Sequence, residues 1–158
     1  MTKRRLLAVG AALLFLGSAA GLYLTADMRR HNRFLVALQR SLAALPLPEG
    51  TTRLAADSRV GLLAGNGNHC DYIVAEAHAT TQTPDQITAH YAHLAIPNPN
   101  GQNSFNVEIA FFRDDEPPDL DVHAALNLRV ADHADRTRYV LFIRLIGYEA
   151  SGLDPRCH

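Results

Sequence analysis

The stretch "AGNGNHCDYIV", residues 64 to 74, sets a glycine-rich turn against a histidine, a cysteine and an aspartate in a row. Residues of those types can cradle a phosphate, pair a nucleophile with a base, hold a metal or anchor a disulfide. A dinucleotide fingerprint needs a third glycine and a following helix, and a P-loop needs a terminal Gly-Lys-Ser/Thr. Here Cys70 occupies the third glycine position and an apolar strand follows. Asn66-Gly67 is instead the favoured pair for a two-residue hairpin turn, where both central residues take positive φ. A nucleophile reading fails on geometry, because His69, Cys70 and Asp71 are neighbours on a strand and point to alternate faces. His69 and Asp71 are therefore read as surface or turn residues. No catalytic or cofactor-binding residue is assigned.

A metal remains the competing chemistry. "HC" at 69 and 70 is mirrored by "CH" at 157 and 158, and His90 and His93 stand three apart on a helical segment. Contiguous ligand pairs serve one tetrahedral ion poorly, since a turn normally separates them. His90, His93 and His69 are thus weak metal candidates. The acidic run "RDDEPPDLD" lacks the D-x-D-x-D-G order of a calcium loop and reads as a solvated hairpin loop.

A disulfide asks only that Cys70 and Cys157 meet in an oxidising compartment. Cys157 lies at the frayable end of the chain, and closing a loop of nearly ninety residues is worth roughly 4 kcal/mol in the chain-entropy description. The pair Cys70 and Cys157 is therefore read as a disulfide.

That reading needs a route out of the cytoplasm. "MTKRR", residues 1–5, is a basic n-region, and residues 6–26, "LLAVGAALLFLGSAAGLYLTA", carry no charge. At 1.5 Å per residue the run covers roughly 30 Å, the depth of a bilayer's hydrocarbon core. Ser18 and Ala20 fit a signal-peptidase cut, but apolar character continues past them through Leu22, Tyr23 and Leu24. The expectation is an uncleaved signal anchor, with the rest of the chain outside the cytoplasm. Arg29, Arg30 and Arg33 flank its far side, so the charge rule votes weakly and the short n-region decides the orientation.

Four segments follow from this: the n-region at 1–5, the transmembrane anchor at 6–26, a juxtamembrane amphipathic helix at 27–46, and an α+β domain at 47–158. In the juxtamembrane segment Phe34, Leu35, Leu38, Leu42 and Leu45 recur at spacings of three and four, and Pro46 and Pro48 end the helix. Residues 51–64 and the strand from Cys70 read as a hairpin. "TPDQ", residues 83 to 86, is a capping box with proline at the first helical position, so a helix starts there. Three strands follow, at 104–112, 122–130 and 139–148, joined by short loops and expected as an antiparallel meander. The order β-β-α-β-β-β predicts an antiparallel sheet with a helix packed on one face.

The chain has 158 residues and a formal net charge of −1, with one lysine, Lys3. No basic face is available for a phosphate backbone, so nucleic acid is excluded as a partner. The lipid bilayer, met through residues 6–26, is the expected partner, with a protein of the membrane or envelope as the second. The functional expectation is an extracytoplasmic binding or accessory module. Zinc or copper handling and a small hydrolase are the alternatives.

Overall fold

The computed structural model describes residues 14–23, 25–101, 103–113, 116, 118–120, 126, 128 and 135–158. Helix α1 (Ala26–Ala43) precedes strands β1 (Thr52–Gly61) and β2 (His69–Thr80), then helix α2 (Pro84–Tyr91). Strands β3 (Ala95–Pro97), β4 (Ser104–Asn106), β5 (Glu108–Phe111) and β6 (Thr137–Ala150) follow, and the 3-10 turn Pro155–Cys157 closes the chain. The fold is α+β, built on a four-stranded antiparallel sheet in the order β1-β2-β6-β5, with β3 and β4 paired separately.

Period-two alternation on β2 separates two apolar layers. Cys70, Tyr72 and Val74 face α1 and α2, where they meet Phe34, Leu38, Leu42, Ile87, Tyr91 and Ile96. Ile73, Ala75 and Ala77 face the opposite side, against Leu63, Leu120, Leu128, Val140 and Phe142. Both faces are covered, which is why β2 is buried from Cys70 to Thr80. Helix α1 belongs to this core: Leu38 and Leu42 are fully buried, each worth about 1.5–3 kcal/mol relative to exposure. The capping box on α2 forms as its residues require, with the Thr83 side chain accepting from Gln86 N–H and the Gln86 side chain accepting from Thr83 N–H.

Several expectations need correction. The strand expected at 104–112 is two, broken at Val107, because β4 pairs with β3 while β5 pairs with β6. The meander fails because β6 pairs directly with β2 along one edge and with β5 along the other. The segment 122–130 falls largely outside the described residues, as do Asp114, Asp115 and Asp121 of the acidic loop.

The two-residue turn at Asn66-Gly67 is also replaced. β1 and β2 pair no further than Gly61 and Asp71, and a longer loop joins them. Asp71 explains this. Its carboxylate is fully buried and accepts from Leu63 N–H at 2.7 Å, Ala64 N–H at 2.9 Å and Gly147 N–H at 2.7 Å. Gly147 takes φ +62° opposite a register shift in β2, where a glycine is needed to turn its N–H inward. Asp71 is therefore an internal backbone cap, not a surface residue.

Among the described residues no helix is long and apolar enough to cross a membrane. The segment expected to do so, 6–26, lies partly outside them. Of its described residues, 14–23 are helical, Thr25 is a turn residue and Ala26 begins α1.

Candidate functional site

The stripe on α1 begins one turn earlier than its apolar residues suggest. His31 stands three residues before Phe34 and shares its face with Leu38 and Leu42, so the packing that buries those side chains buries His31 completely. Beneath it lie Cys70 at the start of β2, Glu149 near the end of β6, and Asp154 and Cys157 from the C-terminal turn. Cys70 and Cys157 are joined in a disulfide, 87 residues apart in sequence with Cα atoms at 4.8 Å.

His31 Nδ1 lies 2.8 Å from Asp154 Oδ2 and 3.1 Å from Cys70 Sγ. On its other edge, Nε2 is 3.2 Å from the Arg30 guanidinium and 3.5 Å from Glu149 Oε2. A guanidinium only donates, so Nε2 is the acceptor and Nδ1 carries the proton given to Asp154. Asp154 also accepts from Arg156 Nε at 2.9 Å, from Arg156 Nη2 at 2.7 Å and from Arg156 N–H at 3.1 Å. Burial opposes ionisation of this carboxyl, but the hydrogen bonds from Arg156 and His31, with the Arg156 charge, outweigh it and hold Asp154 well below the usual carboxylate range. Tyr72 donates to Glu149 Oε2 at 2.7 Å. Its phenol is pushed far above its ordinary value by burial first and by the Glu149 carboxylate second, so it stays a donor.

Two further contacts tie the C-terminal turn to the start of α1. Asp27 Oδ2 accepts from Leu153 N–H at 2.8 Å, and Arg156 donates to Asn32 Oδ1 at 2.9 Å. Gly152, at φ +55°, is required there because a Cβ would overlap the Asp27 carboxylate. His31 and Asp154 are paired like a general base and its orienting acid. Both are fully buried, however, and the neighbouring sulfur is committed to a disulfide, so the arrangement offers no nucleophile to a substrate. Its chemistry in this state is that of a clamp.

The candidates read from sequence lie elsewhere. His69 Nε2 is 3.1 Å from Asp71 Oδ1, His90 Nε2 is 3.0 Å from the Pro46 carbonyl, and His93 is exposed. Among the described residues one group of metal-capable side chains converges, His31, Cys70, Asp154 and Cys157, and it contains none of those three histidines.

A second buried polar group closes the far end of the same layer. His78 is fully buried and stacked on Tyr139 with ring centroids 5.1 Å apart, and Glu76 pairs with Arg53 at 2.9 Å. Arg53 also donates to the Ala43 carbonyl at 3.0 Å, sealing the C-terminus of α1. Stepping by two from Cys70 along β2 passes through Glu76 and His78, the signal that would have found them. Outside the clamp, a cleft of about 280 Å³ opens between α1 and the loop after β3, lined by Arg30, Arg33, Phe34, Asn100 and Glu149 among others.

No known protein family, no curated protein and no solved structure matches this chain.

Proposed function

We propose that the chain is a membrane-anchored extracytoplasmic binding or accessory module, held to the bilayer through residues 6–26. The observation that carries this reading is the change of exposure between the helical segment 14–23 and α1. Thr25 N–H donates to the Gly21 carbonyl and Arg29 N–H to the Thr25 carbonyl, so Thr25, the N-cap of α1, is hydrogen-bonded to both segments. Before the junction Leu14, Phe15, Leu16, Leu22 and Tyr23 are 56–75% exposed, while beyond it His31, Phe34, Leu38 and Leu42 are buried in the domain. Large apolar side chains left open along a helix ask for an apolar solvent, and a bilayer is one. The clamp at Cys70–Cys157 then welds the domain to this helix, so that the cleft beside Arg30 and Arg33 stands near the membrane. A partner of the membrane or envelope, met at that cleft, fits the position.

The disulfide supports the compartment, since such bonds persist outside the cytoplasm. The test is fractionation of cells expressing the full chain and a chain lacking residues 1–25. The full chain is expected to stay with membranes through high-salt and carbonate washes, and the shortened chain to be released. Full-length protein freed by the washes, or cysteines that react with a maleimide in intact cells before any reductant, would sink the reading.

A further inference from the structure

The clamp holds more than a disulfide needs. Four donor atoms, His31 Nδ1, Cys70 Sγ, Asp154 Oδ2 and Cys157 Sγ, lie within 4.8 Å of one another on four fully buried residues. We propose that, once the Cys70–Cys157 bond is reduced, these four side chains form a binding site for one zinc-class divalent ion, mutually exclusive with the disulfide.

The geometry asks for small movements. Tetrahedral zinc with bonds of about 2.0–2.3 Å places its ligand atoms roughly 3.3–3.8 Å apart. His31 Nδ1 stands at 2.8 Å from Asp154 Oδ2 and 3.1 Å from Cys70 Sγ, so both pairs need to open by about half an ångström. The sulfurs must part further. Cys157 can supply that motion, since it sits on a 3-10 turn of only three residues.

The electrons and protons balance through a named co-reactant. A dithiol gives two electrons and two protons to the disulfide, leaving two thiols on this chain and one new disulfide on the reductant. The ion then displaces both thiol protons to solvent. His31 surrenders the Nδ1 proton as well and takes up one at Nε2, which gives up its bond from the Arg30 guanidinium and donates toward Glu149 Oε2, at 3.5 Å. A carboxylate behind a ligating imidazole is the arrangement that fixes its tautomer on a metal. Two thiolates, one carboxylate and a divalent cation leave one negative charge, opposite the guanidinium of Arg156 on Asp154.

The test uses the full chain in detergent, reduced with a phosphine, desalted without oxygen and titrated with Co²⁺ as the spectroscopic probe for zinc. One Co²⁺ per chain is expected, with thiolate-to-cobalt charge transfer and the intense visible bands of a tetrahedral site. The oxidised chain should take up none. His31→Ala and Asp154→Asn should each weaken binding at least tenfold, and Cys157→Ser should halve the charge-transfer band. Should those variants not fold, the wild type decides: zinc is expected to slow alkylation of Cys70 and Cys157 at least tenfold while near-ultraviolet dichroism is retained. No cobalt uptake by the reduced chain, weak six-coordinate bands, alkylation indifferent to zinc, or uptake abolished by His90→Ala with His93→Ala would overturn the proposal.

Discussion

Replacing both cysteines by serine, Cys70→Ser with Cys157→Ser, isolates what the covalent clamp contributes. The bond closes a loop between residues 87 apart. In the chain-entropy description a loop of that length restrains the unfolded chain by ~4–5 kcal/mol at 25 °C. Domains of this size are stable by roughly 5–15 kcal/mol in total, so the loss is about a quarter of the whole or more. With an unfolding entropy of about 2.1 cal/mol/K per residue over about 130 residues, Tm should fall by roughly 15 °C. The assay is urea unfolding of a chain beginning at Ala26, followed by far-ultraviolet dichroism with a chelator present so that no ion contributes. The midpoint should fall, and the slope should rise because the uncrosslinked chain exposes more surface on unfolding. A loss under about 1 kcal/mol with an unchanged slope would refute loop closure as the stabilising element. The noncovalent contacts of Asp27, His31 and Arg156 would then hold the tail by themselves.

Other outcomes follow from the same geometry. Because the folded-state pKa of Asp154 lies below its unfolded value, the ionised carboxylate contributes stability that is fully present above about pH 4 and is lost as pH falls through the folded value. Asp154→Asn should therefore be less stable at pH 7, with a flatter stability profile below pH 4 than the wild type; parallel profiles in urea melts from pH 7 to pH 2.5 would contradict this. Leu38→Ala, at a fully buried position, should cost about 2–5 kcal/mol in the same melts. Val36→Ala, on the 40% exposed side of the same helix, should stay within about 0.5 kcal/mol.

The sequence by itself carried the parts of this protein that depend on neighbours along the chain. The α1 stripe of Phe34, Leu38 and Leu42 follows from 3.6-residue periodicity, and the start of α2 follows from Thr83, Pro84 and Gln86, whose hydrogen bonds are made within one turn. The strands β2 and β6 were legible because their apolar runs are long, and the pairing of Cys70 with Cys157 because two cysteines leave one partner each.

Tertiary structure decided everything that required knowing what an element packs against. His31 has the right spacing to join the α1 stripe, yet a histidine carries no apolar signal, and only Asp154 and Glu149 arriving from 120 or so residues away make its burial tolerable. Asp71 looked like a turn residue because carboxylates favour water; three backbone N–H groups, one of them from β6, replaced that water. The choice of β6 partners was equally hidden, since alternation tells which face a residue takes and not which strand lies alongside. Local order is written in the periodicity of side chains, whereas the buried cluster at Cys70–Cys157 exists only because long-range contacts supply the hydrogen bonds its charges need.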